Sequence, residues 1–155
     1  MGQASCGSHH WQRRYKCGSV SLPYEPTPYS VLERLAHSGL IRKENTLLDY
    51  GCGKGRVDFF MSYQTRCQSI GVEYNERIYE KAMNNKESAV ASGRVLFALA
   101  NAERYTVPET VDRIYFFNPF SLELLKKVIA RILNSYYENR RTCLLYTSDA
   151  ADDKA

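Results

Sequence analysis

The sequence predicts an α/β fold: a doubly wound, mostly parallel sheet with helices on both faces. Three observations predict it. From residue 46 onward, short apolar runs alternate with segments of helical periodicity. The runs are nearly continuous rather than alternating, the pattern of strands covered on both sides. A glycine-rich turn, Gly51-Cys52-Gly53-Lys54-Gly55, joins the first run to the following helix.

The elements follow in order. In PYEPTPYSVLERLAHSGL, Thr27 is placed to cap a helix and Pro28 suits its first position. Val31, Leu32, Leu35 and Ala36 fall at helical spacing, and Gly39 can end the helix. Thr46–Tyr50 reads as the first strand. A helix opening near Lys54 carries Val57, Phe59, Phe60 and Met61. Gln68–Glu73 reads as the second strand. Asn75 caps a helix running through Ile78, Tyr79, Ala82 and Met83 to about Ala91. Residues 95–100 and 112–117 read as the third and fourth strands. Ser121 caps a last helix whose Leu122, Leu125, Val128, Ile129, Ile132, Leu133 and Tyr136 form a broad apolar stripe.

The chain has 155 residues, 44% of them hydrophobic and 25% charged, which is globular composition with room for one core. No apolar run reaches the ~18–20 residues of a membrane span. MGQASC approaches a myristoylation signal, but Cys6 stands where Ser or Thr is required. Five cysteines without framework spacing favour a reducing compartment, hence the cytoplasm. Residues 1–23 lack periodicity and read as a mobile, basic extension. Cys6, His9, His10 and Cys17 within it do not match the usual zinc spacing, so no metal is expected.

Residues 24–142 form the expected domain. Residues 143–155, CLLYTSDAADDKA, have no cap, period or turn logic. They resemble translated sequencing adapter, and are expected to be a non-native tail after a domain cut short before its last strands. The apolar start of this tail, Cys143-Leu144-Leu145-Tyr146, can mimic a fifth strand by accident. The net charge is +4, and the tail is acidic, so the remainder is more basic. That mildly favours an acidic partner, although solvated surface explains it as well.

Parallel sheets bind ligands at the carboxyl ends of their strands. The polar features here follow strand ends: the glycine turn, Glu73, Asn101 and Asn118. A glycine turn between strand and helix lets a ligand approach backbone. The dinucleotide fingerprint G-x-G-x-x-G/A fails, because Arg56 occupies its last position.

The spacing present is D-x-G-x-G-x-G, from Asp49 through Gly51, Gly53 and Gly55. It resembles the first motif of the class I S-adenosylmethionine-dependent methyltransferases, which have a Rossmann-like fold. The resemblance extends in order over most of residues 46–120. It implies that Asp49, Gly51, Cys52, Gly53 and Gly55 form the loop against the amino-acid end of S-adenosylmethionine. Within that loop Cys52 reads as filler, not nucleophile, and Asp49 in part as support for the loop. Glu73, closing the second strand, matches the acid that binds the ribose hydroxyls; a carboxylate can accept both hydrogen bonds of a cis-diol. Asn101-Ala102 stands where the family often carries an acid and a small residue near the adenine. Asn118-Pro119-Phe120 resembles the N-P-P-[YF] motif of amino-methylating members, one proline short. There it implies catalytic positions, with carbonyls holding a planar amine and an aromatic ring against its face.

The resemblance therefore implies an enzyme that transfers methyl from S-adenosylmethionine to an unidentified acceptor, with an amine nitrogen as the candidate atom. Small molecule, protein side chain and RNA all remain open as acceptors. No membrane, metal ion or general base is required. A non-catalytic nucleotide-binding module is the alternative, with Asn101 and the shortened Asn118 motif as signs of decay. An NAD-dependent oxidoreductase ranks below it because of Arg56. Tyr24 and Tyr29 read as core or surface residues before any role over the cofactor.

Overall fold

A computed structural model of the chain describes residues 26–117 and 121–148. Five parallel strands form one sheet in the order β3-β2-β1-β4-β5. They are β1 (Thr46–Tyr50), β2 (Gln68–Glu73), β3 (Val95–Leu99), β4 (Arg113–Phe117) and β5 (Leu144–Ser148). The helices are α1 (Tyr29–His37), α2 (Arg56–Thr65), α3 (Glu76–Ser88) and α4 (Leu122–Glu138). The α/β class, the parallel sheet and the first four strands match the sequence expectation.

β1 is the centre of the sheet, and the strand order reverses beside it. From β1 the chain steps outward to β2 and β3, then returns to the other side for β4 and β5. That reversal opens a crevice at the carboxyl ends of β1 and β4. One face of the sheet packs Leu48, Tyr50, Val72, Ile114 and Phe116 against Val128 and Ile132 of α4. The other packs Leu47 and Tyr115 against Leu32 and Leu35 of α1 and Val57 and Met61 of α2. Period-two alternation along a strand assigns the faces. Asp49 therefore points to the α1–α2 side. It pairs with Gly71 on β2 and with Tyr115 on β4.

Four details differ from the sequence reading. Thr27 does not cap α1: Pro28 occupies the cap position in extended conformation, and no side chain bonds the helix end there. Thr27 is buried instead, its Oγ1 accepting from the Tyr115 hydroxyl at 3.3 Å. The glycine turn delays α2 to Arg56, because Gly55 at its N-cap is left-handed with φ 85°. α3 stops at Ser88, and a short 3-10 turn, Ser92–Arg94, leads into β3. β3 is not covered on both faces: it is an edge strand with Leu96 and Leu99 exposed. The caps at Asn75 and Ser121 form as expected, accepting from the amides of Ile78 and Leu124.

β5 pairs with β4 from Arg113↔Leu144 to Phe117↔Ser148. It lies in the segment expected to mimic a strand. No described helix is long and apolar enough to cross a membrane. Residues 1–25, including Cys6, His9, His10, Cys17 and Tyr24, and the catalytic candidates Asn118, Pro119 and Phe120 lie outside the described residues.

Candidate cofactor site

The site begins with a conformational demand. Gly51, Gly53 and Gly55 have φ of 74°, 59° and 85°. Left-handed backbone at three alternating positions is strained for any residue with a Cβ. The turn folds the loop back over the end of β2, with the amides of Gly51 and Cys52 both donating to the Val72 carbonyl, at 2.8 and 3.1 Å. The Gly53 amide donates to Glu73 Oε2 at 3.2 Å. The Gly55 amide closes the turn on the Cys52 carbonyl at 2.9 Å.

These bonds decide what the loop can hold. Four of its amides are engaged by protein acceptors, so it is not a phosphate cradle like the nests that grip nucleotide phosphates. What it offers is bare backbone at Gly51, where a Cβ would meet nothing within 4 Å. Gly55 faces the opposite way: a Cβ there would stand 2.5 Å from Phe97 Cζ and 2.8 Å from Phe59 Cε2. The first glycine opens toward solvent and the third seats the loop on the sheet.

A cleft lies at the carboxyl end of β1. Asp49, Gly51, Cys52, Arg56, Thr27 and Phe117 are among its lining residues. The Arg56 guanidinium sits 4.7 Å from the Tyr29 ring centroid and donates to the Thr27 carbonyl at 3.2 Å. Tyr29 itself is exposed and packs on Phe60.

The floor of the loop is acidic and buried. Glu73 is 3% exposed; Oε1 accepts from the Asn75 amide at 2.9 Å and Oε2 from Gly53. Burial pushes its pKa up, and the backbone amides pull against that rise. Each carboxylate oxygen retains further acceptor capacity. Asp49 is buried, and its carboxyl is raised well above the usual range by burial first, then by Asp58 and Glu73. Asp58, on the first turn of α2, is fully buried; burial pushes it up to about 7. Its Oδ1 accepts from Ser69 Oγ at 2.6 Å. Cys52 is also buried; burial and the three acids push its thiol up, so it is not a thiolate nucleophile.

The structure thus joins Asp49, Gly51, Cys52, Gly53, Gly55 and Glu73 in one place. Asn101 and Ala102 follow β3, whose continuation is tied to β2 by the Ala100 amide donating to the Glu73 carbonyl at 3.0 Å. Asn101 is exposed and its Oδ1 accepts from the Glu103 amide; Ala102 is buried in the α4-side core. Two residues escaped sequence reasoning. Asp58 shares a helical stripe with Met61 and Ser62, at i, i+3 and i+4, and that spacing was the available signal for its burial. A Cβ on Gly71 would stand 2.7 Å from Cys52 Sγ, 2.7 Å from Phe97 Cδ1 and 2.8 Å from Asp58 Oδ2. Its missing side chain is the space that the buried acid occupies. No group of three or more His, Cys, Asp or Glu among the described residues could hold a metal ion.

A parallel sheet with a glycine loop at its switch point and an acid closing the neighbouring strand defines a nucleoside-cofactor-binding α/β protein. The chain belongs to the methyltransferase-domain family, whose model matches residues 47–139, and it is an S-adenosylmethionine-dependent methyltransferase. It is 26% identical over 113 residues to a protein-lysine N-methyltransferase of Saccharolobus islandicus (strain REY15A), covering 72% of this chain and 70% of the relative. A 56-residue stretch is 39% identical to a histone-lysine N-methyltransferase, H3 lysine-79 specific, of Dictyostelium discoideum, covering 36% of this chain and 3% of that one. Among solved structures, an RNA methyltransferase from Salinibacter ruber in complex with S-adenosyl-L-homocysteine superposes with a TM-score of 0.62. It is 17% identical, with 81% of this chain and 76% of that chain covered, and shows the shared fold.

The residues present fit the cofactor. S-adenosylmethionine carries no phosphate, and the loop amides named above are already spent. It carries an ammonium and a sulfonium, and the cleft floor is acidic, with Asp49 Oδ2 buried and accepting from no donor among the described residues.

Proposed function

We propose that the chain methylates an amine nitrogen. In this reading Asp49, Gly51, Cys52, Gly53, Gly55, Glu73, Asn101 and Ala102 hold the cofactor. Asn118, Pro119 and Phe120 seat the acceptor. The observation that carries the amine assignment is the likeness to a protein-lysine N-methyltransferase over 70% of that relative's length. The likeness to the RNA enzyme, at 17% identity, speaks for the fold alone. Phe117, the last residue of β4, lines the cleft, so Asn118 follows directly in the chain on a cleft residue.

Bound in the cleft, S-adenosylmethionine supplies an electrophilic methyl on a sulfonium sulfur. The chain's own task is alignment. Glu73 and the open backbone at Gly51 fix the nucleoside and amino-acid ends. Asn118 and Phe120 orient the acceptor lone pair along the line of attack, where proximity supplies much of the rate. A neutral amine needs no general base to attack. We place the chain in the cytoplasm on the spacing of its five cysteines, which lacks a disulfide framework.

Methyl-labelled cofactor offered with lysine-containing protein, free amines and RNA tests the assignment. Label on an amine nitrogen is the expected result; label on oxygen or carbon alone would overturn it. Asn118→Ala should lower kcat by roughly a hundredfold, with the cofactor dissociation constant unchanged.

A further inference from the structure

The sheet register places an unusual pair of acids under the cofactor loop. Asp49 projects from the central strand toward α2, and Asp58 projects from the first turn of α2 toward the sheet. They meet because the neighbouring strand position is Gly71, whose missing side chain leaves the space. Both are buried, Asp49 at 3% and Asp58 at 0% exposure. Asp49 Oδ2 and Asp58 Oδ2 are each sealed from solvent, with no donor group among the described residues. The register sets Asp49 beside Gly71, and Asp58 Oδ2 fills the space over Gly71, so the two carboxyls share one buried site. Two carboxylates buried in one site cannot both ionise without a counter-charge, and one proton shared between them satisfies both orphaned oxygens.

Among the described residues no cation pairs with these acids. Toward the pair face Ser69, Gly71 and Glu73 from β2, Tyr115 from β4, Cys52 from the loop and Phe97 from β3. Arg56 lines the cleft but is spent on Tyr29 and the Thr27 carbonyl. Ion pairs among the described residues join Lys43 to Glu44, Arg113 to Asp112 and Lys127 to Glu103, none of them in this cluster. Asp49 is the member that reaches the cleft.

We propose that Asp49 and Asp58 share one proton beneath the glycine loop and release it to solvent when the cationic cofactor fills the cleft. Asp58 is then a positioning residue. Through the shared proton it holds the Asp49 carboxyl in place while the cleft is open. When the ligand's ammonium and sulfonium arrive, their positive charge replaces the proton as the counter-charge, and both carboxyls are left ionised. The raised pKa of both acids, caused by burial, agrees with a proton held at neutral pH. This inference rests on the cofactor-site reading above.

Calorimetric titration of the full chain with S-adenosylmethionine near neutral pH, in buffers of different ionisation enthalpy, tests it. The expected result is a buffer-dependent heat corresponding to release of up to one proton per cofactor bound. Affinity should rise with pH below neutrality by up to about tenfold per pH unit. Asp58→Asn, whose amide can donate to Asp49 in the proton's place, should bind with buffer-independent heat. Binding with equal heat in every buffer, or unchanged proton release in Asp58→Asn, would overturn the proposal and leave the cofactor site standing. Absence of binding would overturn both. An infrared difference spectrum supplies a readout on the unmutated chain: cofactor should bleach a protonated-carboxyl band, and its persistence would also sink the idea.

Discussion

Glu73 Oε2 accepts the Gly53 amide at 3.2 Å, across 20 residues of sequence. One carboxylate therefore shapes the glycine loop, and its other oxygen holds the Asn75 amide at the entry to α3. Glu73, proposed above to hold the cofactor, and the glycine loop are a single mechanical unit, and changes at Glu73 report on both.

Glu73→Gln separates these tasks. The amide oxygen can keep the Gly53 bond, while the second acceptor and the charge are lost. Hydrogen bonds to charged groups contribute roughly 1.5–3 kcal/mol, so cofactor affinity should fall by about ten- to a hundredfold. Isothermal titration measures it. Unchanged affinity in a folded variant would remove Glu73 from the ribose site.

Gly55→Ala should destabilise the fold. A Cβ there would lie 2.5 Å from Phe97 Cζ, in a residue whose φ is 85°. Overpacking costs about 1–3 kcal/mol and left-handed backbone roughly 1–2 kcal/mol more. Phe97→Leu in the same chain should relieve the first cost and not the second, giving measurable non-additivity in a double-mutant cycle. Additive effects on the denaturation midpoint would show that Phe97 is not the obstacle.

Much of this arrangement was legible beforehand, for physical reasons. β1, β2 and the caps at Asn75 and Ser121 follow from apolar runs bounded by residues with strong local preferences. The loop was legible because three left-handed positions demand three glycines. Thr27 was misread because Pro28, fixed in φ, takes the cap position itself, and a contact 88 residues away decides the threonine's fate. Asp58 escaped the sequence reading, since a first-turn acid is ordinarily exposed and favourable to the helix dipole. Only strand register, which sets Gly71 beside Asp49, reveals that it is buried against another acid. β5 shows the converse: an apolar run beside an open parallel edge pairs with it because backbone groups find partners there, whatever the segment's origin.

The buried acids also set the pH dependence of stability. In the unfolded chain Asp49 and Asp58 titrate near the ordinary value of about 3.9. In the folded chain both are raised, Asp58 to about 7, and Glu73 is raised too. The folded state therefore binds more protons than the unfolded state between about pH 4 and 7, and stability falls as pH rises through that window. Thermal melts of the cofactor-free chain should show a declining Tm from acid toward neutral pH. Asp58→Asn should flatten the decline, and a Tm that rises across the same window would contradict the assignment.

Thr27 ties the approach to α1 to the sheet, and its loss can be isolated. Its Oγ1 accepts from the Tyr115 hydroxyl, which is buried beside Asp49, while its carbonyl accepts from Arg56. Thr27→Val keeps the volume and the carbonyl but leaves the Tyr115 hydroxyl without this acceptor. An unsatisfied buried donor costs about 1–3 kcal/mol. Thr27→Ser retains the hydroxyl and should recover most of the loss. Tyr115→Phe removes the donor itself, so adding Thr27→Val to it should cost less than in the native background. Chemical denaturation of the native chain and these four variants measures this directly. If Thr27→Val costs the same with and without the Tyr115 hydroxyl, the bond does not anchor the segment, and the cleft wall at Thr27 is held by the Arg56 contact alone.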